Sequence, residues 1–128
     1  MDNKIKISPF TDGLFIKICG ELDSSKTLVY REKIHREIAK NGPRFLLFDL
    51  KECSFIDSSG IGLILGRFNE VEKVHGNVGF INLNDYSRKV IRISGLFSIL
   101  KEYKNLQEFK KEMRIKLWIK WNLSFQVS

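Results

Sequence analysis

The sequence predicts an α/β fold: one domain around a mixed, mostly parallel sheet, with a hairpin at the sheet edge and about four helices. The first observation is the alternation of strand-type and helix-type segments along most of the chain, as in βαβ units. The second is a pair of alternating segments near the N-terminus, joined by turn residues. The third is the length of 128 residues with 43% apolar content, which suits one domain with one core.

The hairpin is predicted by alternation with period two on both sides of a turn. Residues 4–7 alternate lysine with isoleucine, and Leu14, Ile16 and Ile18 continue the pattern with a lysine between the isoleucines. Such alternation is typical of half-buried strands. The residues expected to form the turn are Pro9, Asp12 and Gly13.

The first helix is expected to begin where this alternation ends. Asp23 or Ser24 can cap it, because a side-chain oxygen there accepts unpaired amide hydrogens of the first turn. Gly42 and Pro43 predict its end. Its apolar positions are Leu28, Ile34 and Ile38.

Residues 45–66 organise the rest of the chain. The apolar run 45–48 predicts a buried strand, and 49–55 is interpreted as a polar connection. Asp57 and the two serines after it then predict the start of a helix that runs to about His75. Gly60 and Gly62 in its first turns cost about 1 kcal/mol each relative to alanine, so a close approach is expected there.

Four further elements are predicted downstream. Residues 78–83 form a strand, and a short helix capped by Asn84 or Asp85 ends at Gly95. Residues 96–100 are interpreted as a short last strand. A final helix begins near Asn105, with Leu106, Phe109 and Met113 as its apolar positions.

Residues 115–127 alternate apolar with mostly polar side chains without a break, which is a strand pattern. Three interpretations remain open: an edge strand on the domain, a surface that pairs with another chain, or a disordered extension. An unprotected edge strand of that length carries an aggregation risk. A basic contact with a membrane surface is a minor further possibility.

The net charge of +7 raises the question of nucleic-acid binding. However, the last 28 residues hold 7 Lys and Arg against 3 Asp and Glu, which is more than half of the excess. No basic helix with interleaved exposed aromatic side chains is predicted. We therefore expect no nucleic-acid partner. Cys19 and Cys53 are isolated and are expected to be buried, reduced thiols.

Three motifs, in order along the chain, carry a resemblance to a known family. They are Gly20-Glu21-Leu22-Asp23, the stretch 55–67 around Asp57-Ser58-Ser59-Gly60, and Ser94-Gly95-Leu96-Phe97. Together they resemble the anti-sigma factor antagonists of the STAS family, over roughly residues 3–108. The resemblance implies a STAS domain over residues 1–110. Residues 111–128 would then be a C-terminal extension of unknown role.

The resemblance implies a phosphorylation switch. Ser58 matches the serine that is phosphorylated by a partner that is both a serine kinase and an anti-sigma factor. The unphosphorylated antagonist binds that partner and frees the sigma factor, and a separate serine phosphatase resets the switch. Sporulation is the expected pathway, with the stress response as the alternative. The residues expected to contact the partner are Leu22, Asp23, Ser24, Asp57, Ser59, Gly60 and Ile61.

Simpler interpretations of these residues stay open. Ser58 or Asp23 could only cap a helix, and Leu22 or Ile61 would be core residues if buried. Arg67 could face the partner or solvent. His35 and His75 are expected at the surface, and the glycine-flanked pattern of a hydrolase serine is missing around Ser59, so no enzymatic activity is expected.

No signal peptide or membrane span is predicted from the sequence, and a cytoplasmic location is expected. We expect no cofactor, no catalytic or metal-ligating residues and no membrane partner.

Overall fold

The computed structural model describes residues 3–127. Its strands are β1 (Lys4–Phe10), β2 (Gly13–Leu22), β3 (Phe45–Asp49), β4 (Cys53–Ile56), β5 (Asn77–Ile81) and β6 (Lys101–Glu102). Its α-helices are α1 (Ser24–Asn41), α2 (Ser58–Glu72), α3 (Asp85–Ser94) and α4 (Leu106–Val127). A single 3₁₀ turn spans Leu96–Ser98.

The sheet has the order β1-β2-β3-β5-β6. β1 and β2 form the antiparallel hairpin, and every other pairing is parallel. The mixed, mostly parallel sheet with a hairpin edge is therefore confirmed. The turn is tighter than predicted, since Pro9 lies within β1 and only residues 11–12 connect the strands.

Both faces of the sheet are covered by helices. This explains why β3 is apolar at every position except its last. Leu46 and Phe48 point to one face and pack in the core with α1, α2 and α3. Phe45 and Leu47 point to the other face, where they pack in a second cluster with Phe109 of α4. A strand buried on both faces reads as a continuous apolar run rather than an alternating one.

The predicted polar connection 49–55 is wrong, because it contains β4. The strand β2 is 10 residues long, and it pairs with β3 over 13–17 and with β4 over 20–22. Consequently β4 takes the place beside β2 where β3 has ended. With only Cys53 and Ile56 buried, β4 is too short to show a strand pattern in the sequence.

The Asn84 side chain connects the turn between β3 and β4 to α3 by hydrogen bonds. Its amide nitrogen donates to the backbone oxygens of Leu50, Lys51 and Cys53, at 3.1, 2.8 and 2.7 Å. Its side-chain oxygen accepts from the backbone N–H of Ser87 at 2.7 Å and caps α3. The sequence left Asn84 and Asp85 open as the cap, and the structure selects Asn84.

The predicted strand 96–100 is also wrong. The chain turns at Gly95, which has a positive φ of 85°, and Leu100 N–H then donates to the Leu96 oxygen at 2.8 Å. This helical spacing buries Leu96 and Leu100 together. The last strand is the short β6, which pairs with β5.

The predicted strand over 115–127 is a continuation of α4. Extending a helix adds a hydrogen bond for each residue fixed, whereas a strand needs a partner edge. The expectation of no basic helix with exposed aromatic side chains also fails, since α4 carries exposed Trp118 and Trp121 among lysines and arginine. The helix runs through the predicted domain boundary at residue 110 without interruption.

The predictions for the two cysteines and the two histidines agree with the structure. Cys19 and Cys53 are free and buried, and burial raises the pKa of the Cys53 thiol to about 11. His35 and His75 are exposed. Leu28, predicted as a core position of α1, is instead 55% exposed.

Gly76 is required by the packing between α2 and β5. A Cβ atom there would overlap the backbone oxygen of Arg44, which cannot move freely. We expect Gly76→Ala to lower the free energy of unfolding by about 1–3 kcal/mol, as overpacking does. Gly66→Ala is the control, because the space around Gly66 in α2 is open and alanine should stabilise the helix by about 0.5–1 kcal/mol. Urea unfolding measures both, and equal stability of the two variants would contradict the packing argument.

Candidate functional site

Two polar loops meet at one end of the sheet because β2 and β4 are parallel neighbours. Leu22 pairs with Ile56 in the register, so the next residue of each strand, Asp23 and Asp57, leaves the sheet at the same place. β3 is also parallel to β2, but β4 is the strand that leads into Ser58. Carboxyl ends of parallel strands are where α/β proteins usually dock ligands.

The Asp57 carboxylate holds the N-termini of α1 and α2 together. One oxygen accepts from the backbone N–H groups of Ser59 and Gly60, at 2.9 and 3.1 Å, and caps α2. The other oxygen accepts from the backbone N–H of Ser24 in α1, at 3.1 Å. A carboxylate is favoured here because both helix N-termini present unpaired amide hydrogens and partial positive charge.

Asp23 caps α1 and forms an ion pair with Lys26. Its Oδ1 accepts from the backbone N–H of Ser25 at 3.0 Å and from the Ser25 hydroxyl at 2.6 Å, and Lys26 Nζ lies 3.3 Å away. The hydrogen bond from Ser25, aided by Lys26, lowers the pKa of the Asp23 carboxyl. Lys26 Nζ also lies 3.6 Å from Glu21, so this one cation forms ion pairs with two carboxylates.

Ser58 is exposed and is the first residue of α2. Since Asp57 caps this helix, the interpretation that Ser58 only caps is wrong. Within the described part of the chain, the Ser58 hydroxyl makes no hydrogen bond. Ser24 is exposed as well, while Ser59 is partly buried.

Leu22 and Gly60 lie beneath this polar edge rather than on it. Leu22 is fully buried, so its side chain belongs to the core. A Cβ atom on Gly60 would lie 2.7 Å from the Leu22 backbone oxygen, so the expected close approach is between α2 and β2. Nothing lies near the corresponding position at Gly62, where the surface is open. Ile61 is partly buried and packs against the main core.

Arg67 is almost fully buried, between α1 and α2. It is only 8% exposed in α2, and its Nη2 lies 3.6 Å from Glu70. Burial lowers the pKa of the Arg67 guanidinium. Its Nε and Nη1 find no hydrogen-bond acceptor among the described residues.

Two exposed apolar side chains flank the polar edge and were not predicted. Phe55 in β4 is 43% exposed. Leu28 lines a shallow groove between α1 and α2, together with Ser59 and Gly62. Exposed aromatic and aliphatic groups around a polar centre are typical of protein interfaces. Sequence reasoning missed them because Leu28 fits a core position and Phe55 lies in the unrecognised strand.

A family model for the STAS domain matches residues 5–109, so the chain belongs to the STAS domain family. The anti-sigma F factor antagonist of Lysinibacillus sphaericus is 40% identical over 81 residues, covering 63% of this chain and 69% of that protein. The anti-sigma-B factor antagonist of Bacillus subtilis is 30% identical over 100 residues, covering 78% of this chain and 90% of that protein.

Solved structures agree with this assignment. The anti-sigma factor antagonist SpoIIAA in its unphosphorylated form matches with a TM-score of 0.71 and 30% identity, covering 88% of this chain and 96% of that chain. The phosphorylated form of the Bacillus cell fate determinant SpoIIAA matches with a TM-score of 0.66 and 28% identity, covering 84% and 98%. Among the described helices of this chain, none has the length and apolar character needed to cross a membrane.

The bridge made by Asp57 can be tested by substitution. We expect Asp57→Ala to lower the free energy of unfolding by about 2 kcal/mol, because it removes a cap and leaves three N–H groups without their acceptor. Asp57→Asn should lose less, since asparagine also caps helices. Asp85→Ala is the control, because Asp85 lies in the first turn of α3 but does not cap it. Guanidinium unfolding gives the values, and equal effects of Asp57→Ala and Asp85→Ala would contradict the bridge.

Proposed function

We propose that this protein is an anti-sigma factor antagonist whose binding to an anti-sigma factor is switched off by phosphorylation of Ser58. The observation that carries the proposal is an exposed, unbonded serine at the start of α2, held beside α1 by the Asp57 bridge. Support also comes from relatives that are named anti-sigma F and anti-sigma-B factor antagonists.

The electrostatics suit a modification that leaves the fold intact. A phosphoserine adds about −1.5 to −2 charges at neutral pH. At the first residue of α2 this charge meets the positive end of the helix dipole, which stabilises an anion by roughly 0.3–1 kcal/mol. The phosphate is expected to weaken binding of the partner rather than the fold, since Asp23 and Asp57 already make the edge acidic. A partner shaped for a neutral hydroxyl would meet added bulk and added negative charge.

The proposed binding face contains the exposed or partly exposed residues of this edge. The polar centre is Asp23, Ser24, Asp57, Ser58 and Ser59, with Ile61, Leu28 and Phe55 as apolar contacts. Leu22 and Gly60 support the face from below. The proposed partners are an anti-sigma factor with serine kinase activity and a serine phosphatase that acts on phospho-Ser58. The protein is a substrate and regulator without catalysis of its own.

Sporulation is the pathway we propose, because the relative with 40% identity is an anti-sigma F factor antagonist. The stress response is the second candidate, favoured by anti-sigma-B factor antagonists that match at 30% identity. Affinity for the anti-sigma F and anti-sigma B factors of the same genome would decide between them.

The switch is tested by intact mass after incubation with the cognate anti-sigma factor and ATP. One added phosphate, about 80 Da, is expected on the native chain and none on Ser58→Ala. Ser58→Ala should keep its partner affinity, and its stability should change by less than about 0.5 kcal/mol, because Asp57 provides the cap. Ser24→Ala is the matched control, an exposed serine at the same edge, and should still be phosphorylated. Phosphate on Ser58→Ala would show that another residue is the acceptor.

Ser58→Asp should fold normally, because its charge suits the helix N-terminus. We expect it to bind the anti-sigma factor at least about tenfold more weakly, a loss of about 1.4 kcal/mol. Titration calorimetry measures the affinity, and circular dichroism monitors the fold. Unchanged affinity in a folded variant would mean that the partner does not contact this position.

The role of the Asp23 charge in partner binding can be tested separately from the role of Asp23 as the cap of α1. Asparagine caps a helix about as well as aspartate, so Asp23→Asn should leave the melting temperature nearly unchanged. If the partner binds the carboxylate, this variant should still bind more weakly or be phosphorylated more slowly. Asp23→Ala should lose both stability and binding. Full affinity and normal phosphorylation of Asp23→Asn would leave Asp23 with its structural role alone.

A further inference from the structure

We propose that the second half of α4 docks on an anionic membrane surface, an interaction that is separate from the antagonist function. The first half of α4 packs against the sheet through Phe109 and Met113, which are buried. The second half carries large apolar side chains that are turned to solvent. They are Ile115, Trp118, Ile119, Trp121 and Leu123, each between 45% and 67% exposed.

The helix changes its apolar side near Leu117. Up to Met113 the apolar residues of α4 face the domain, and Leu117 is the last to pack against the second core cluster. On either side of Leu117 in the sequence, Lys116 and Lys120 are exposed and line the open groove between α4 and the domain, beside Glu72 and His75. These two lysines therefore border the exposed apolar residues on the side nearer the domain. Exposed apolar surface concentrated in this way marks an interaction site.

The charges near this outer surface are of one sign. From residue 113 onward the sequence contains Arg114, Lys116 and Lys120 but no Asp or Glu. Lys111 adds another exposed cation one turn earlier, and the acidic Glu112 is paired with Lys101 at 2.7 Å. These cations, Lys111, Arg114, Lys116 and Lys120, form a basic collar next to an apolar tip, which consists of Ile115, Trp118, Ile119, Trp121 and Leu123.

A basic collar with a tryptophan-containing apolar tip fits an anionic lipid surface. Tryptophan rings prefer the boundary between headgroups and acyl chains, and lysine and arginine are attracted to anionic headgroups. A second copy of this chain fits less well, because pairing two tips would bring two basic collars together. Nucleic acid fits less well too, because it offers no apolar environment for Ile115, Ile119 and Leu123.

The chain supplies its own probe, since its two tryptophans, Trp118 and Trp121, are both in the tip. We expect their emission to shift to shorter wavelength with vesicles of phosphatidylcholine containing roughly one third phosphatidylglycerol, and to stay unchanged with pure phosphatidylcholine. The full chain should also sediment with the anionic vesicles, and added salt should weaken this.

Variants assign the effect to the tip and the collar. Ile119→Ser should weaken vesicle binding severalfold, whereas Ile93→Ser, at an exposed isoleucine of α3, should not. Lys120→Glu should weaken binding at least about fivefold, as expected for one basic residue at an anionic surface, whereas Lys33→Glu on α1 should have little effect.

Four outcomes would overturn the proposal. One is no response to anionic vesicles, and another is equal binding to neutral vesicles. A third is short-wavelength emission without lipid together with concentration-dependent sedimentation, which would identify a second copy as the occupant. The fourth is retention on duplex DNA without vesicle binding. None of these results bears on phosphorylation of Ser58, which is measured separately.

Discussion

The Asp57 carboxylate is the interaction on which the polar edge depends. It accepts hydrogen bonds from the first turn of its own helix and from the start of α1, so two helices that are distant in sequence share one anchor. A neutral cap would satisfy one helix, but the charge also stabilises both positive helix ends. This arrangement holds Ser58 on a rigid element while leaving its hydroxyl free.

The sheet makes this bridge possible through the length of β2. A strand of 10 residues can pair with β3 along its first half and with β4 along its last residues. As a result, β4 ends beside the end of β2. Gly20, with a positive φ of 85°, lies where the register of the β2–β4 pairing shifts. Asn84 then ties the β3–β4 turn to α3 and keeps β4 in place. The candidate site is thus supported from both sides by backbone hydrogen bonds.

Close packing and exposure to solvent are divided between different residues at this edge. Leu22 and Gly60 provide close packing between β2 and α2, while the exposed serines lie directly above them. Charge can therefore be added at Ser58 without disturbing the core. The buried guanidinium of Arg67 belongs to the same helix and lines the groove between α1 and α2 that also contains Ser59.

The sequence by itself determined the α/β class, the hairpin, the capped starts of α1 and α2, and the family motifs around Asp57. These features depend on local chemistry: alternation, caps and turn glycines act within a few residues. The structure decided what depends on distant neighbours. It placed β4 against β2, moved Leu22 into the core, exposed Leu28 and Phe55, and made residues 115–127 helical. The alternation of that last segment is a strand pattern in the sequence, but in the described structure no sheet edge pairs with it. The helix that begins at Leu106 continues instead, because each further residue gains its own hydrogen bond.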